Sequence, residues 1–215
     1  GKNYLSLGSG IVSGCYSHGI TTSDAFRTLV SPTGSGFMLE TVLRSGMQLV
    51  DWIVRTTGSP SAAALEKAAV VLEGIAFEQA IASEAMETQA AETQAAETQA
   101  AETQPGGKPA AMIAAGGGTN CALLMRIMAS VLERPLSVSP VHEAAALGAA
   151  MLAASAIGWF ASPETAAEAM AAPPTRHVHP VDGLVSGYRA RKAIYRDLYQ
   201  ATRETHVRLE ALSKV

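Results

Sequence analysis

Apolar positions alternate with small or polar ones at the start of the chain and move to three- and four-residue steps further on. "NYLSLGSG" and "IVSGCYSHG" read as two strands joined through Gly8 and Gly10 in a tight hairpin, with "FMLETV" a third strand behind the breaker-rich "SPTGSG". From Leu43 to Thr56 the positions Met47, Leu49, Val50, Ile53 and Val54 make an amphipathic helix that Gly58 and Pro60 end. A second helix opens at Ser61 as N-cap and presents Leu65, Ala69, Leu72, Ala76 and Ala80 along one face.

That helix runs into a pentapeptide repeat, "METQAAETQAAETQAAETQ", from Met86 to Gln104. Each five-residue step turns a helix by roughly 140°. Glu87, Glu92, Glu97 and Glu102 therefore spiral around the axis, so the segment is expected to stay out of the core as an exposed helical extension or disordered insert over 86–107, closed by "PGGKP". Beyond it, "AAMIAA" is a buried strand, and Gly116, Gly117 and Gly118 lead into a helix from Asn120 to Leu132 with Leu123, Leu124, Ile127, Met128 and Val131 facing inward. "RPLSVSP" is a further strand and "HEAAALGAAMLAASAIGW" a further helix. Strand, helix, strand, helix after a run of strands predicts an α/β domain. Leu184 to Leu212 forms a closing helix in which Tyr188, Tyr195, Thr202 and Leu209, with Leu198, Thr205 and Leu212, recur at seven-residue steps; one stripe is expected against the domain or against a second copy in a homodimer.

Composition narrows the function classes. The chain has 215 residues, 48% apolar, with net charge −3, so nothing in its balance calls for nucleic acid or an anionic membrane. The basic residues of the last helix alternate with Asp197, Glu204 and Glu210, the pattern of a solvated face. Cys15 and Cys121 match no disulfide or zinc spacing, and no charged segment precedes an apolar one at the start, so a cytoplasmic location is expected. The uncharged stretch from Ala144 to Pro163 is Ala, Gly and Ser rather than Leu, Ile and Val, and reads as a buried helix of a soluble domain rather than a membrane span.

A glycine-rich turn between a strand and a helix lets backbone N–H groups converge on an anion and lets a flat ring approach where no Cβ stands. An ordinary tight turn would use the same residues. The dinucleotide G-x-G-x-x-G and the phosphate loop G-x-x-x-x-G-K-[ST] are both missing. His177 and His179 in "RHVHP" have no accompanying Cys or carboxylate cluster and read as a surface loop, not a metal site. Asp51 and Glu73 read as helix positions rather than a catalytic pair. Cys15 reads as packing.

Several ordered segments together resemble one family. "AAMIAAGGGTNCALLMRIMASVLERPLSV" followed by "HEAAALGAAMLAA" is similar to the adenine-side segment of the FGGY carbohydrate kinases, of the sugar kinase, hsp70 and actin superfamily. "SLGSGIVSG" resembles their phosphate-contacting hairpin, "FMLETVLRSGMQLVDWI" the strand and helix after it, "ALEKAAVVLEGIAFEQ" their "LEGIAF" helix, and "YRARKAIYRDLYQ" the closing helix. The resemblance implies a single C-terminal, nucleotide-binding domain over 1–215 with an actin-like (ribonuclease H-like) fold, a mixed sheet with helices on both faces. It implies that Gly8, Ser9 and Gly10 approach the β- and γ-phosphates of ATP, and that Gly116, Gly117, Gly118, Thr119, Asn120 and Cys121 line the adenosine pocket. The implied reaction passes the γ-phosphoryl group in line to a sugar or polyol hydroxyl, with Mg²⁺ neutralising charge.

Departures from the family pattern bear on activity. The sugar-binding N-terminal domain, with its carboxylates, has no counterpart here, nor has the aspartate segment before the hairpin, so no catalytic base is named and the chain alone is expected to be inactive. Between Gly58 and Ser61 the family has a much longer stretch. Ser9 stands where Thr is usual, Arg126 where Gln is common and Cys121 where a polar residue is frequent. Two other readings follow: a non-catalytic kinase-like module for assembly or regulation, and an ATPase activator of the same superfamily.

Overall fold

The computed structural model describes residues 3–57, 62–97 and 111–212. Seven strands form one sheet: β1 (Tyr4–Leu7), β2 (Ile11–Ser17), β3 (Arg27–Val30), β4 (Phe37–Leu43), β5 (Met112–Ala115), β6 (Leu136–Val138) and β7 (Arg176–Val178). Their order is β3-β4-β2-β1-β5-β6-β7, with β1, β5 and β6 parallel and the other pairs antiparallel. The helices are α1 (Met47–Thr57), α2 (Ala62–Glu97), α3 (Ala122–Leu132), α4 (Ala144–Ala156), α5 (Pro163–Met170) and α6 (Asp182–Leu212), with a 3₁₀ turn at Gly117–Asn120.

Alternation along the strands sorts side chains to the two faces. Leu5, Leu7, Met112, Ala114 and Leu136 point to a core that Leu72, Ile75, Ala76 and Ala80 of α2 close with Leu124, Ile127, Met128 and Val131 of α3. On α6, Tyr188 and Tyr195 pack edge-on or tilted against Phe77. A buried polar cluster fixes the register of α2 on the sheet, because the Gln79 amide donates to Ser13 at 2.6 Å, Ser83 at 3.0 Å and Thr41 at 3.1 Å. The other face carries Tyr4, Ser6, Ile113 and Ala115, which line a cavity of about 470 Å³ with Ala144 and Ala145 of α4. Helices therefore stand on both faces of a mixed sheet, as expected.

Several expectations need correction. The helix expected from Leu43 begins at Met47, because Leu43 completes the β2–β4 ladder opposite Ile11. The short strand β3 was not anticipated; it pairs only with β4, and two of its apolar residues, Leu29 and Val30, are exposed. Leu123 is 47% exposed, and Met125 takes the inward position. The repeat does join the core at its start: Met86 is fully buried with Cys15, Phe26 and Leu39, Ala90 packs on that group, and Glu87 pairs with Arg134 at 2.5 Å. The spiral of the repeat turns its first unit inward, where Met86 meets Cys15 of β2.

Ala144–Ala156, expected buried, is mostly exposed, with Ala154 its one buried residue. Its small side chains offer no large apolar stripe, and α4 packs chiefly on α5, which opens with a Ser162 capping box. Among the described residues no helix is long and apolar enough to cross a membrane. Arg176–Val178 of "RHVHP" form an edge strand rather than a loop, because β6 offers an open ladder that they complete, and His179 and Pro180 follow it outside the strand. The α6 stripe is buried only in its first half; Leu198, Leu209 and Leu212 are exposed. Gly58, Pro60, Ser61, residues 98–107 of the insert and all of "PGGKP", and the side chains of Val54 and Leu65, lie outside the described residues.

Candidate nucleotide site

The parallel register of β1 and β5 brings the two glycine clusters together. Ser6 lies opposite Ala115, so the next residues, Leu7 and Gly116, leave the sheet side by side. The Gly8–Gly10 turn follows one strand and the Gly116–Asn120 turn the other, at the same edge.

The β1–β2 turn is pinned from below. The Gly8 amide donates to the Gly10 carbonyl at 3.0 Å, so that donor is held within the turn. Gly46 N–H donates to Ser9 O at 2.8 Å and Met47 N–H to Gly8 O at 3.2 Å, which fixes the turn to the start of α1. A Cβ on Gly46 would meet Ile11 Cγ1 at 2.8 Å and the carbonyls of Gly8 and Ser9 at 3.0 Å, so no larger residue fits. Ser9 itself is exposed.

The second turn is equally constrained on one side. Gly116 has φ +97°, a left-handed backbone that favours glycine, and an added Cβ would lie 2.8 Å from Leu7 O. On buried Gly118 it would meet Leu7 Cβ at 2.8 Å and Met47 Cγ at 3.3 Å. Thr119 closes the turn, since both its N–H and its hydroxyl donate to Gly116 O, at 3.1 and 2.8 Å. Gly117 differs: it is exposed, with nothing within 4 Å of an added Cβ.

Helix α3 begins directly after this turn. Cys121, half-buried, is its N-cap and makes no side-chain cap bond, so the first N–H groups of an eleven-residue helix point to the same edge. Such an end favours negative charge. Of the nine residues expected at the site, neighbouring strands assemble all nine on one edge; Ser9, Gly117 and Asn120 form its exposed rim, and Gly118 and Thr119 its buried floor.

Sequence reading missed three contributors. Gly46 and Met47 pin the hairpin, and "RSG" before the helix was the available signal. Arg176 of β7 donates to Thr119 O at 2.5 Å, and the "RHVHP" motif held it in view without a role. Beside it lies a cavity of about 280 Å³ lined by Thr119, Asn120, Ser139, His142, Thr175 and Arg176, among others. Among the described residues no three His, Cys, Asp or Glu side chains come together to hold a metal ion.

Charged pairs elsewhere serve the frame. The Arg189 guanidinium beside Glu133 holds that carboxyl below its usual range, tying α6 to the end of α3. Burial, then the bonded Glu40 carboxylate, pushes the Tyr4 phenol well up on the second face.

Comparison with known proteins bears on the fold. Residues 56–157 match the model of the C-terminal domain of the FGGY family of carbohydrate kinases. The fold is similar to that of a xyloylose kinase from Brucella ovis (TM-score 0.73, 17% identity, 95% of this chain and 48% of that one) and of a ligand-bound xylulose kinase from Lactobacillus acidophilus (0.72, 13%, 97% and 49%). It is also similar to a glycerol kinase from Plasmodium falciparum with ADP (0.62, 14%, 90% and 46%). The chain spans about half the length of these structures. The match to the C-terminal domain of the FGGY carbohydrate kinases thus lies in residues 56–157, and the mixed sheet with its helices is a fold similar to that of these kinases.

Proposed function

We propose that this domain binds ATP for a carbohydrate kinase that transfers the γ-phosphoryl group to a sugar or polyol hydroxyl in the cytoplasm. The observation that supports this reading is the meeting of two glycine turns on neighbouring parallel strands, with Gly117 open and α3 aimed at the same edge. The glycine floor keeps side chains away from the space above it, and amides at the rim are the donors that phosphate oxygens require. The similar glycerol kinase, solved with ADP, supports a nucleotide for this fold. Bound Mg²⁺ would neutralise phosphate charge and, in this reading, is carried by the nucleotide and by residues outside the chain. The acceptor hydroxyl and its base belong to a sugar-binding domain, so the chain by itself is inactive.

A second reading, a non-catalytic module, draws on one feature: only residues 58–61 separate α1 from α2, where the family resemblance implies a longer segment at the cleft. Calorimetry on the chain decides between them. The kinase reading expects ATP and ADP to bind at millimolar concentration or below, and ATP to be consumed with a pentulose or polyol once a sugar-binding domain is joined. Absence of nucleotide binding favours the module.

A further inference from the structure

We propose that Arg176 is a positioning residue for the nucleoside part of the nucleotide, and that the cavity beside it receives the ribose hydroxyls. This rests on the nucleotide reading above and adds a residue and a subsite to it. Thr119 commits both its donors to Gly116 O, which leaves its own carbonyl to be fixed from the other side. Arg176 reaches across from β7 and takes that carbonyl at 2.5 Å. The turn carrying open Gly117 is thereby clamped between β1 and β7.

A guanidinium presents five donors in a planar fork, so one carbonyl leaves others for the cavity. The lining there is polar: the hydroxyls of Ser139 and Thr175, the Asn120 amide and the His142 imidazole stand with Arg176 around a space of about 280 Å³. Strand β7 is itself held at this position, since His177 Nδ1 and the Ser137 hydroxyl share a hydrogen bond of 3.0 Å beside the β6–β7 pairing. Two strand spacings, about 10 Å, separate β1 from β6 along the edge. A nucleotide with its phosphates at the Gly8–Gly10 turn and its next atoms over Gly117 extends along that edge to the polar cavity.

Paired titrations with ADP and with inorganic tripolyphosphate test this. Arg176→Ala is expected to weaken ADP roughly tenfold and to leave tripolyphosphate binding unchanged, with the melting temperature of the chain as the check on folding. Arg176→Lys, which keeps the charge and loses the fork, is expected to stay weakened. His142→Ala leaves the Thr119 brace in place and is expected to weaken ADP alone; it also serves if Arg176→Ala does not fold. Equal loss of both ligands in Arg176→Ala, full recovery in Arg176→Lys, or unchanged ADP binding in both alanine variants overturns the assignment. A wild-type chain that binds neither ligand fails the nucleotide reading itself.

Discussion

Gly118 and Gly117 are adjacent in the chain and opposite in environment. Gly118 lies against Leu7 and Met47 with no room for a methyl group, whereas Gly117 faces open space. The same division holds across the site. Its floor, where Gly118 and Thr119 meet Leu7 and Gly116, is tightly packed, and its rim, made of Ser9, Gly117 and Asn120, is exposed. A glycine run therefore has two physical jobs here: some members let chain segments touch one another, and one leaves space for something else. The difference predicts that substitutions separate stability from binding.

The floor should show the largest stability losses. Gly116→Ala meets both the left-handed backbone and the Leu7 carbonyl, and is expected to cost about 2–4 kcal/mol. Gly118→Ala faces overpacking alone and should cost about 1–3 kcal/mol. Thermal unfolding measures both, and a loss at Gly118 as large as that at Gly116 would contradict the role given to φ.

The two cysteines repeat the contrast more weakly. Burial first, then the Glu87 charge, raises the Cys15 thiol from 9.0 to about 11, while Cys121 caps α3 near the rim. A folded value above the unfolded one means that this stabilisation is complete below pH 9 and fades as pH rises towards 11, as the unfolded thiol ionises first. Urea titrations over that window should show the decline in the parent and a flatter profile in Cys15→Ala. A thiol reagent should modify Cys121 well before Cys15.

Much of this division was legible from the residues. Apolar runs bounded by turn residues located β1, β2, β4, β5 and β6, and the glycine positions located both turns. What the sequence pattern could not show was pairing across distance: that β7 adds to β6, that Met86 lands beside Cys15, or that Gly46 lies under the hairpin. Those depend on which edge stays open and where a helix of 36 residues ends over the sheet. Nor does a run of three glycines say which one faces outward. The Ala-rich α4 misled for a related reason, since apolar composition without large side chains does not specify a buried face.

Whether a nucleotide occupies the space over the second turn is decided at Gly117. Gly117→Val should change the melting temperature little, because nothing lies within 4 Å of an added Cβ, and should weaken ATP and ADP binding by calorimetry about tenfold or more by filling that space. Unchanged affinity in a folded Gly117→Val chain would contradict that occupancy.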